Sequence, residues 1–462
     1  MYRVESVREI FLSRLACVSL LSAALLCSCG VLRQDEGVQH AGAAPVFIEA
    51  HNFISGRPGM GRLDVRVRIP LRFFVFVRAR PESTSAPFVA RADVAVEILD
   101  RTQTSIARNI LRREMSSADQ SPSSGADEFL EKMFSFELPT GEYTVATEIS
   151  DLESSRRFVE KSGKIRLKDF SRGPVEISDV EFLPPSAADD SGPVSPVAIG
   201  GDIPFGRSAC GYMEFVSRAP AESIHASFAI RAAQSGREAS SPLLRGSLSD
   251  VPVSRSRFLA PVKDEEGFTY RVSRAPDRQR YSLWLPENGD TMAQGEYELT
   301  ASITAGADTA TIRHPFRIRW FDMPRSLRSF PLALEALRYL ASDSELSAIR
   351  SASSDRQKDL FNLFWKRRDP TPATAFNERM AEFYRRADEA MEKFGSLREP
   401  NGIKTDRGKT FILYGPPGSI ERNLRPGSDP QEIWSYPNLH KRLVFVDKDH
   451  HGDYRLFETG TL

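Results

Sequence analysis

Net charge is the first thing this 462-residue sequence lacks: Lys and Arg total 62, and so do Asp and Glu. No global field draws in nucleic acid or repels it, so a charge-driven partner would need a local patch. Cysteine is scarce, with four in the chain: Cys17, Cys27, Cys29 and Cys210. The N-terminal region also lacks an apolar run long enough to stay in a bilayer. Leu15 to Leu26 is apolar for 12 residues, whereas a span takes about 20. This is the hydrophobic stretch of a leader, not a permanent anchor. What is present suffices for packed cores, with 40% hydrophobic residues and 29 Phe. The length predicts about three domains of roughly 100 to 200 residues each.

Arg3, Arg8 and Arg14 precede the apolar run, and "LCSCG" follows it as Leu26, Cys27, Ser28, Cys29 and Gly30. That stretch resembles the lipobox of bacterial lipoproteins, which implies a signal peptide over 1–28 and a lipidated Cys29 as first mature residue. Cys27 does not fit, because Leu26 is too large for the position before the cleaved bond. Three acyl chains, at roughly 0.8 kcal/mol per buried methylene, would fix the protein to a membrane. Gly30 in place of Asp implies, by analogy, the bacterial outer membrane, with the body facing the periplasm or the surface. Cys17 and Cys27 then leave with the leader and lipid blocks Cys29, so Cys210 alone remains and no internal disulfide can form. Cys210, in "SACGYMEF", reads as a small buried hydrophobe.

Residues 29–45 read as the lipidated cysteine and a tether. Period-two alternation follows. Val65, Val67 and Ile69 alternate with Arg66 and Arg68, and Val94, Val96 and Ile98 alternate with Ala95 and Glu97. Both stretches predict half-buried antiparallel strands. "SSADQSPSSGAD" (116–127) predicts a loop. A repeat then appears: "FSFELPTGEYTVATEI" from Phe134, and "YSLWLP" from Tyr281 with "GEYELTASI" from Gly295. Each copy reads as an aromatic strand ending in Leu-Pro, a hairpin turn and a Gly-Glu-Tyr strand, with one more strand behind it. Two copies argue for tandem domains of one kind, and short strands favour β-sandwiches. The expected layout is a first β-sandwich over 46–182, a linker over 183–197, a second sandwich over 198–323 and an α+β domain over 324–462. The fold class is thus multidomain, two tandem antiparallel β-sandwich domains followed by a C-terminal α+β domain. Neither sandwich shows a nucleophile, base and orienter grouped in sequence.

From Met323 the pattern turns helical. Leu334, Leu337 and Leu340 share one spacing, Leu360, Leu363, Phe364 and Trp365 continue a second apolar face, and a helix is predicted over about 375–394. Pro370 and Pro372 interrupt these helices, with Thr371 and Thr374 able to cap the next. "FWKRRDPTPATAFNERMAEFYRRADEAMEKF", "GIKTDRGKTFILYGPPGSIERN" and "FVDKDHHGDYRLFE" follow in order. Together they resemble the GWxTD domain of bacterial proteins, many of them secreted or lipidated, over about 325–460. Gly402, Lys404, Thr405 and Asp406 keep the namesake motif, while Ile403 stands where the family has Trp. The resemblance marks Arg368, Asp369, Pro370, Gly402, Thr405, Asp406, Arg407, Gly408, Gly415, Pro416 and Pro417 as motif positions. It implies a domain and carries no reaction.

"GPPGSIER" is not a phosphate loop: it lacks the lysine, and Pro416 and Pro417 delete amides that would wrap a phosphate. "KTFILY" (409–414) predicts a buried strand, with Thr405 and Asp406 in a capped turn and Asp406 paired to Arg407. Asp447, Asp449, His451, Gly452 and Glu458 match the spacing of a calcium loop. The flanking "RLVFV" and "YRLF" alternate as strands, however, so a polar hairpin turn with Gly452 at positive φ is the better reading. A metal on Asp447, Asp449 and Glu458 is the lesser alternative.

Two function classes remain. The first is a non-enzymatic envelope lipoprotein that acts as a docking or scaffold module. It would be held to the membrane by lipid and bind a protein partner, with no nucleic acid, nucleotide or cofactor. The second is an envelope hydrolase in which Asp369, Asp406, Asp447 and Asp449 converge on a carboxylate or metal cleft.

Overall fold

Strand Met60–Pro70 is covered on both faces, where its alternation predicts a half-buried strand. It runs antiparallel between Phe47–Ile54 and Phe129–Pro139 in a three-stranded sheet. Leu63, Val65, Val67 and Ile69 point into a core shared with Ala92, Val94, Val96 and Ile98 of strand Phe88–Leu99. The intervening Arg62, Asp64, Arg66 and Arg68 are buried too. Alternation reports only that two faces differ; it does not say that the polar one meets water.

The computed structural model describes residues 46–79, 87–118, 120, 129–188, 192–220, 223–233, 244–247, 254–255, 257–264, 267–274, 280–285, 291–425 and 427–461. The predicted leader, Cys29 and the tether lie outside the described residues, as does most of the 116–127 loop. The described chain is rich in strands, arranged in several antiparallel sheets, with a helical region towards the C-terminus. It forms two compact units. The first takes residues up to Ile203, Ala209–Glu287 and Gly295–Arg317, and the second Pro204–Ser208, Asn288–Gln294 and Ile318–Leu462.

In the first unit, the three-stranded sheet shares its core with a six-stranded sheet built on Phe88–Leu99 and Gly141–Asp151. Further along the chain, Val175–Ile177 and Glu181–Leu183 both pair with Cys210–Ser217, which pairs in turn with Arg280–Trp284. Ile224–Ala232, Gly295–Ala305 and Asp308–Arg319 belong to another sheet. Within 183–197, the segment expected as a linker, lie a 3-10 turn at Pro185–Ala188 and a short strand at Pro193–Val194.

The sequence repeat is a structural repeat, but its turn is not a hairpin. Phe129–Pro139 lies in the three-stranded sheet and Gly141–Asp151 in the six-stranded one, so Leu-Pro marks a crossing between sheets. The second copy crosses in the same way, from Arg280–Trp284 to Gly295–Ala305. Tyr143 of Gly-Glu-Tyr closes the first corner, its Oη donating to the Pro139 carbonyl at 2.7 Å.

Among the described residues, the second unit packs six helices on a sheet: α1 (Arg325–Arg328), α2 (Phe330–Leu337), α3 (Asp343–Ser351), α4 (Ser354–Lys366), α5 (Glu378–Lys393) and α6 (Asp406–Tyr414). The four strands Ser419–Asn423, Gln431–Tyr436, Lys441–Val446 and Arg455–Thr461 are antiparallel and adjacent in that order. Trp365 of α4, Tyr384 of α5, Phe411 of α6, and Trp434 and Phe445 of the sheet share one core. Leu363 turns outward, at 40% exposure. α5 is capped by Asn377, whose side chain accepts from Met380 N–H, and not by Thr371 or Thr374.

The stretch predicted as a buried strand, "KTFILY", is helix α6. Thr405 is its N-cap, with Oγ1 accepting from Gly408 N–H at 3.0 Å, and Gly415 ends it at φ +78°. A run of β-branched and aromatic residues this short cannot by itself tell strand from helix; the capping residues decide it.

Candidate functional site: a buried charge cluster

Antiparallel register places Glu49 of strand Phe47–Ile54 directly opposite Arg66, and His51 opposite Asp64. Glu181, from the short strand Glu181–Leu183, completes the group. Glu49, Arg66 and Glu181 are each 1% exposed and His51 is 4% exposed. Asn52 and Asp179 join the two chain segments beside them. Asn52 N–H donates to Asp179 Oδ2 at 2.8 Å, and Asp179 N–H donates to the Asn52 carbonyl at 3.1 Å.

Each carboxylate has one oxygen held by a backbone amide. Glu49 Oε1 accepts from Gly200 N–H at 2.8 Å, and Glu181 Oε1 from Phe182 N–H at 3.0 Å. Arg66 Nη2 donates to Glu49 Oε2 and to the Ala198 carbonyl. His51 Nε2 stands 3.7 Å from Glu49 Oε2 and 3.9 Å from Glu181 Oε2. Among the described residues, neither His51 Nε2 nor Glu181 Oε2 has a hydrogen-bond partner.

Burial works to raise Glu49, but the Arg66 guanidinium and His51 outweigh it and hold the carboxyl at about 2. Burial pulls His51 down, yet Glu181 and Glu49 carry it up to about 9. For Glu181 burial wins over Arg66 and His51, and its carboxyl is raised. Asp179 is raised by burial as well.

A second buried group lies on the same face. Arg62 Nε donates to Asp64 Oδ2 at 3.1 Å, and Tyr270 Oη to the same oxygen at 3.0 Å. Glu214 accepts from Tyr212 Oη at 2.9 Å and from Arg280 Nη2. Burial lifts Tyr212 and Tyr270 well above the usual phenol range. These charges join the strands around Met60–Pro70 to those around Cys210–Ser217 in the buried interior. Such pairs give up so much hydration that their net contribution is small, while losing one partner is costly.

Neither group was legible as a site. The available signal was opposite charge at alternate positions of neighbouring strands, "IEAHNF" against "GRLDVRVR", together with "SDVEF" at 178–182.

The motif positions of the second unit are spent on internal contacts. A Cβ on Gly402 would overlap the Ala390 carbonyl of α5, and one on Gly408 the Gly402 carbonyl. Ile403 is fully buried in the core. Asp406 does not pair with Arg407; its Oδ2 accepts from Leu456 N–H at 2.8 Å and holds the last strand. Arg407 reaches Glu432 Oε2 at 3.3 Å and the Gly452 carbonyl at 3.1 Å, and lies 4.2 Å over the Tyr454 ring. Arg368 covers the Phe364 ring and donates to Glu345 at 2.9 Å. Asp369 caps its own turn at Thr371 N–H, beside the exposed Pro370. Residues 316–456 match the GWxTD domain family. Within this GWxTD domain, Gly415 accepts from Tyr436 Oη at 3.0 Å, and Pro416 and Pro417 lead from α6 into the sheet.

The calcium-loop residues form a turn. Asp447 accepts from His451 N–H at 3.2 Å and from Gly452 N–H at 2.8 Å, with Gly452 at φ +78°. Asp449 meets Arg398 at 2.9 Å, and Glu458 is an exposed residue of the last strand. Among the described residues, the His and acidic side chains that converge with metal-ligand spacing are Glu49, His51 and Glu181. Asp369, Asp406, Asp447 and Asp449 are not among them.

No curated protein matches the chain in sequence. Among solved structures, an ICAM-5 D1–D4 ectodomain fragment has 10% identity and a TM-score of 0.15, over 59% of this chain and 53% of that one. The chain thus spans about half of that fragment. A family 123 glycoside hydrolase from Clostridium perfringens has 11% identity and a TM-score of 0.14, over 37% and 31%. Salmonella alpha-2-macroglobulin has 12% identity and a TM-score of 0.14, over 59% and 16%.

Proposed function

We propose that the chain is a non-enzymatic lipoprotein of the bacterial outer membrane, anchored through Cys29, that docks or scaffolds another envelope protein. It does so through its two tandem β-sandwiches and its C-terminal α+β GWxTD domain. The observation that carries the reading is the use made of the GWxTD motif: Thr405, Asp406 and Arg407 cap, tie and brace their own domain. Groups so engaged hold their own domain together, which suits a structural part of a docking surface. The sheet carries an exposed apolar group at each edge: Phe457, 66% exposed on strand Arg455–Thr461, and Leu424, 63% exposed just after strand Ser419–Asn423. Exposed apolar groups beside an open sheet edge suit protein docking. No helix among the described residues is long and apolar enough to cross a membrane.

Crosslinking in intact cells tests the reading. One envelope protein should be captured by the full chain and lost when 325–462 is deleted, and Cys29→Ser should release the chain from the membrane fraction. Hydrolytic turnover abolished by Asp406→Ala would overturn it, as would a mature N-terminus carrying no acyl chain.

A further inference from the structure

In the first unit, three lone-pair atoms face one another with their other contacts already made. Glu49 and Glu181 are each oriented through Oε1 by a backbone amide, which leaves Oε2 directed at His51 Nε2. Two of the three, Glu181 Oε2 and His51 Nε2, have no hydrogen-bond partner among the described residues. A separation of 3.9 Å is too long for a hydrogen bond between them. It suits two ligands of one ion, because metal bonds of about 2.0 to 2.2 Å place neighbouring ligand atoms roughly 3 to 4 Å apart. All three ligand atoms lie within 4.8 Å of one another.

We propose that Glu49, His51 and Glu181 bind one divalent first-row transition metal ion of the zinc class. Imidazole selects against calcium and magnesium, which need more oxygens than two carboxylates supply. Arg66 keeps its place in this arrangement: its hydrogen bond to Glu49 fixes the ligating carboxylate from outside, as partners of metal ligands commonly do. The cluster is buried, so its role is structural and uptake accompanies folding. Glu49 and His51 come from strand Phe47–Ile54 and Glu181 from beyond residue 180. The ion therefore fastens together chain segments far apart in sequence.

The test uses the full chain, expressed with zinc supplied, dialysed and assayed for metal. About one zinc per chain is expected, with a lowered Tm after a strong chelator. Cobalt in its place should give the intense visible bands of a low-coordinate site. His51→Gln and Glu181→Gln should each lose the metal, while Glu458→Gln should keep it. A wild-type chain that folds without metal and melts identically with chelator overturns the proposal and assigns the central positive charge to a protonated His51. Metal retained in both variants overturns it equally, since the ion would then sit elsewhere. Should the variants fail to fold, wild-type stoichiometry and the cobalt spectrum still decide.

Discussion

The Arg66 guanidinium contacts Glu49 and lies 3.7 Å from Glu181 Oε1, in a place that excludes water. Arg66→Met removes the charge, keeps much of the stem, and leaves buried Glu49 and Glu181 without their guanidinium partner. A loss of about 3 to 5 kcal/mol in urea unfolding is expected, and a loss under about 1 kcal/mol would mean that water reaches the pair. His314, 2% exposed, gives a pH dependence of its own. Burial brings it from 6.5 down to about 3, helped by positive charge in the cluster around His51 and opposed by a smaller upward pull from Glu49. It is therefore neutral in the fold, while the unfolded chain takes up a proton below about 6.5. Its contribution is full above that pH and is lost as pH falls towards 3. Melting temperature between pH 7 and pH 4 should fall less steeply in His314→Gln, and equal slopes would exclude the effect. The sequence shows charged and aliphatic residues alternating from 62 to 69, but not that a second set of strands waits for the charges. Burial of a charged face depends on partners more than a hundred residues away, and no local pattern encodes them.

At the scale of the element, α6 shows how a motif can be read correctly and its structure wrongly. Thr405 is legible as a capping residue and Gly415 as a chain reversal, yet the apolar run between them suits a strand as well as a helix. Tertiary fit settles the matter: Gly402 and Gly408 let the helix start pack closely on α5 and on its own preceding turn. Thr405→Ala should lower stability by about 1 kcal/mol, as loss of an N-cap does. Gly408→Ala should cost more, although alanine is the better helix former, because its Cβ meets the Gly402 carbonyl. Urea titration of both variants checks the order; a stabilising Gly408→Ala would show that the close approach is not real. The Leu-Pro repeat teaches the same lesson. Its strands are legible, but whether a two-strand signal closes one sheet or crosses to another depends on pairing partners, here Met60–Pro70 and Phe88–Leu99.

At the scale of the molecule, the two β halves of the first unit are joined by charge as well as by apolar contact. Phe53 and Met133 of the N-terminal half share a core with Tyr212, Tyr270 and Trp284 of the other. Beside it lie the Glu49–Arg66–Glu181 and Asp64–Tyr270 contacts. A loose linker would let each half open alone, with few buried contacts crossing between them. Here Arg66, His51, Arg62 and Asp64 also meet Glu181, Glu214 and Tyr270 of the other half, so separating the halves leaves buried groups with fewer partners on both sides at once. The halves should therefore exchange amide hydrogens as one cooperative unit. In Arg66→Met, protection should fall in step along Phe88–Leu99, which does not touch the cluster, and along Ile224–Ala232 in the other half. Hydrogen exchange read by mass spectrometry separates the cases. A loss confined to the N-terminal half would mean that the chain between the halves acts as a hinge, and that the buried charges stabilise one side alone.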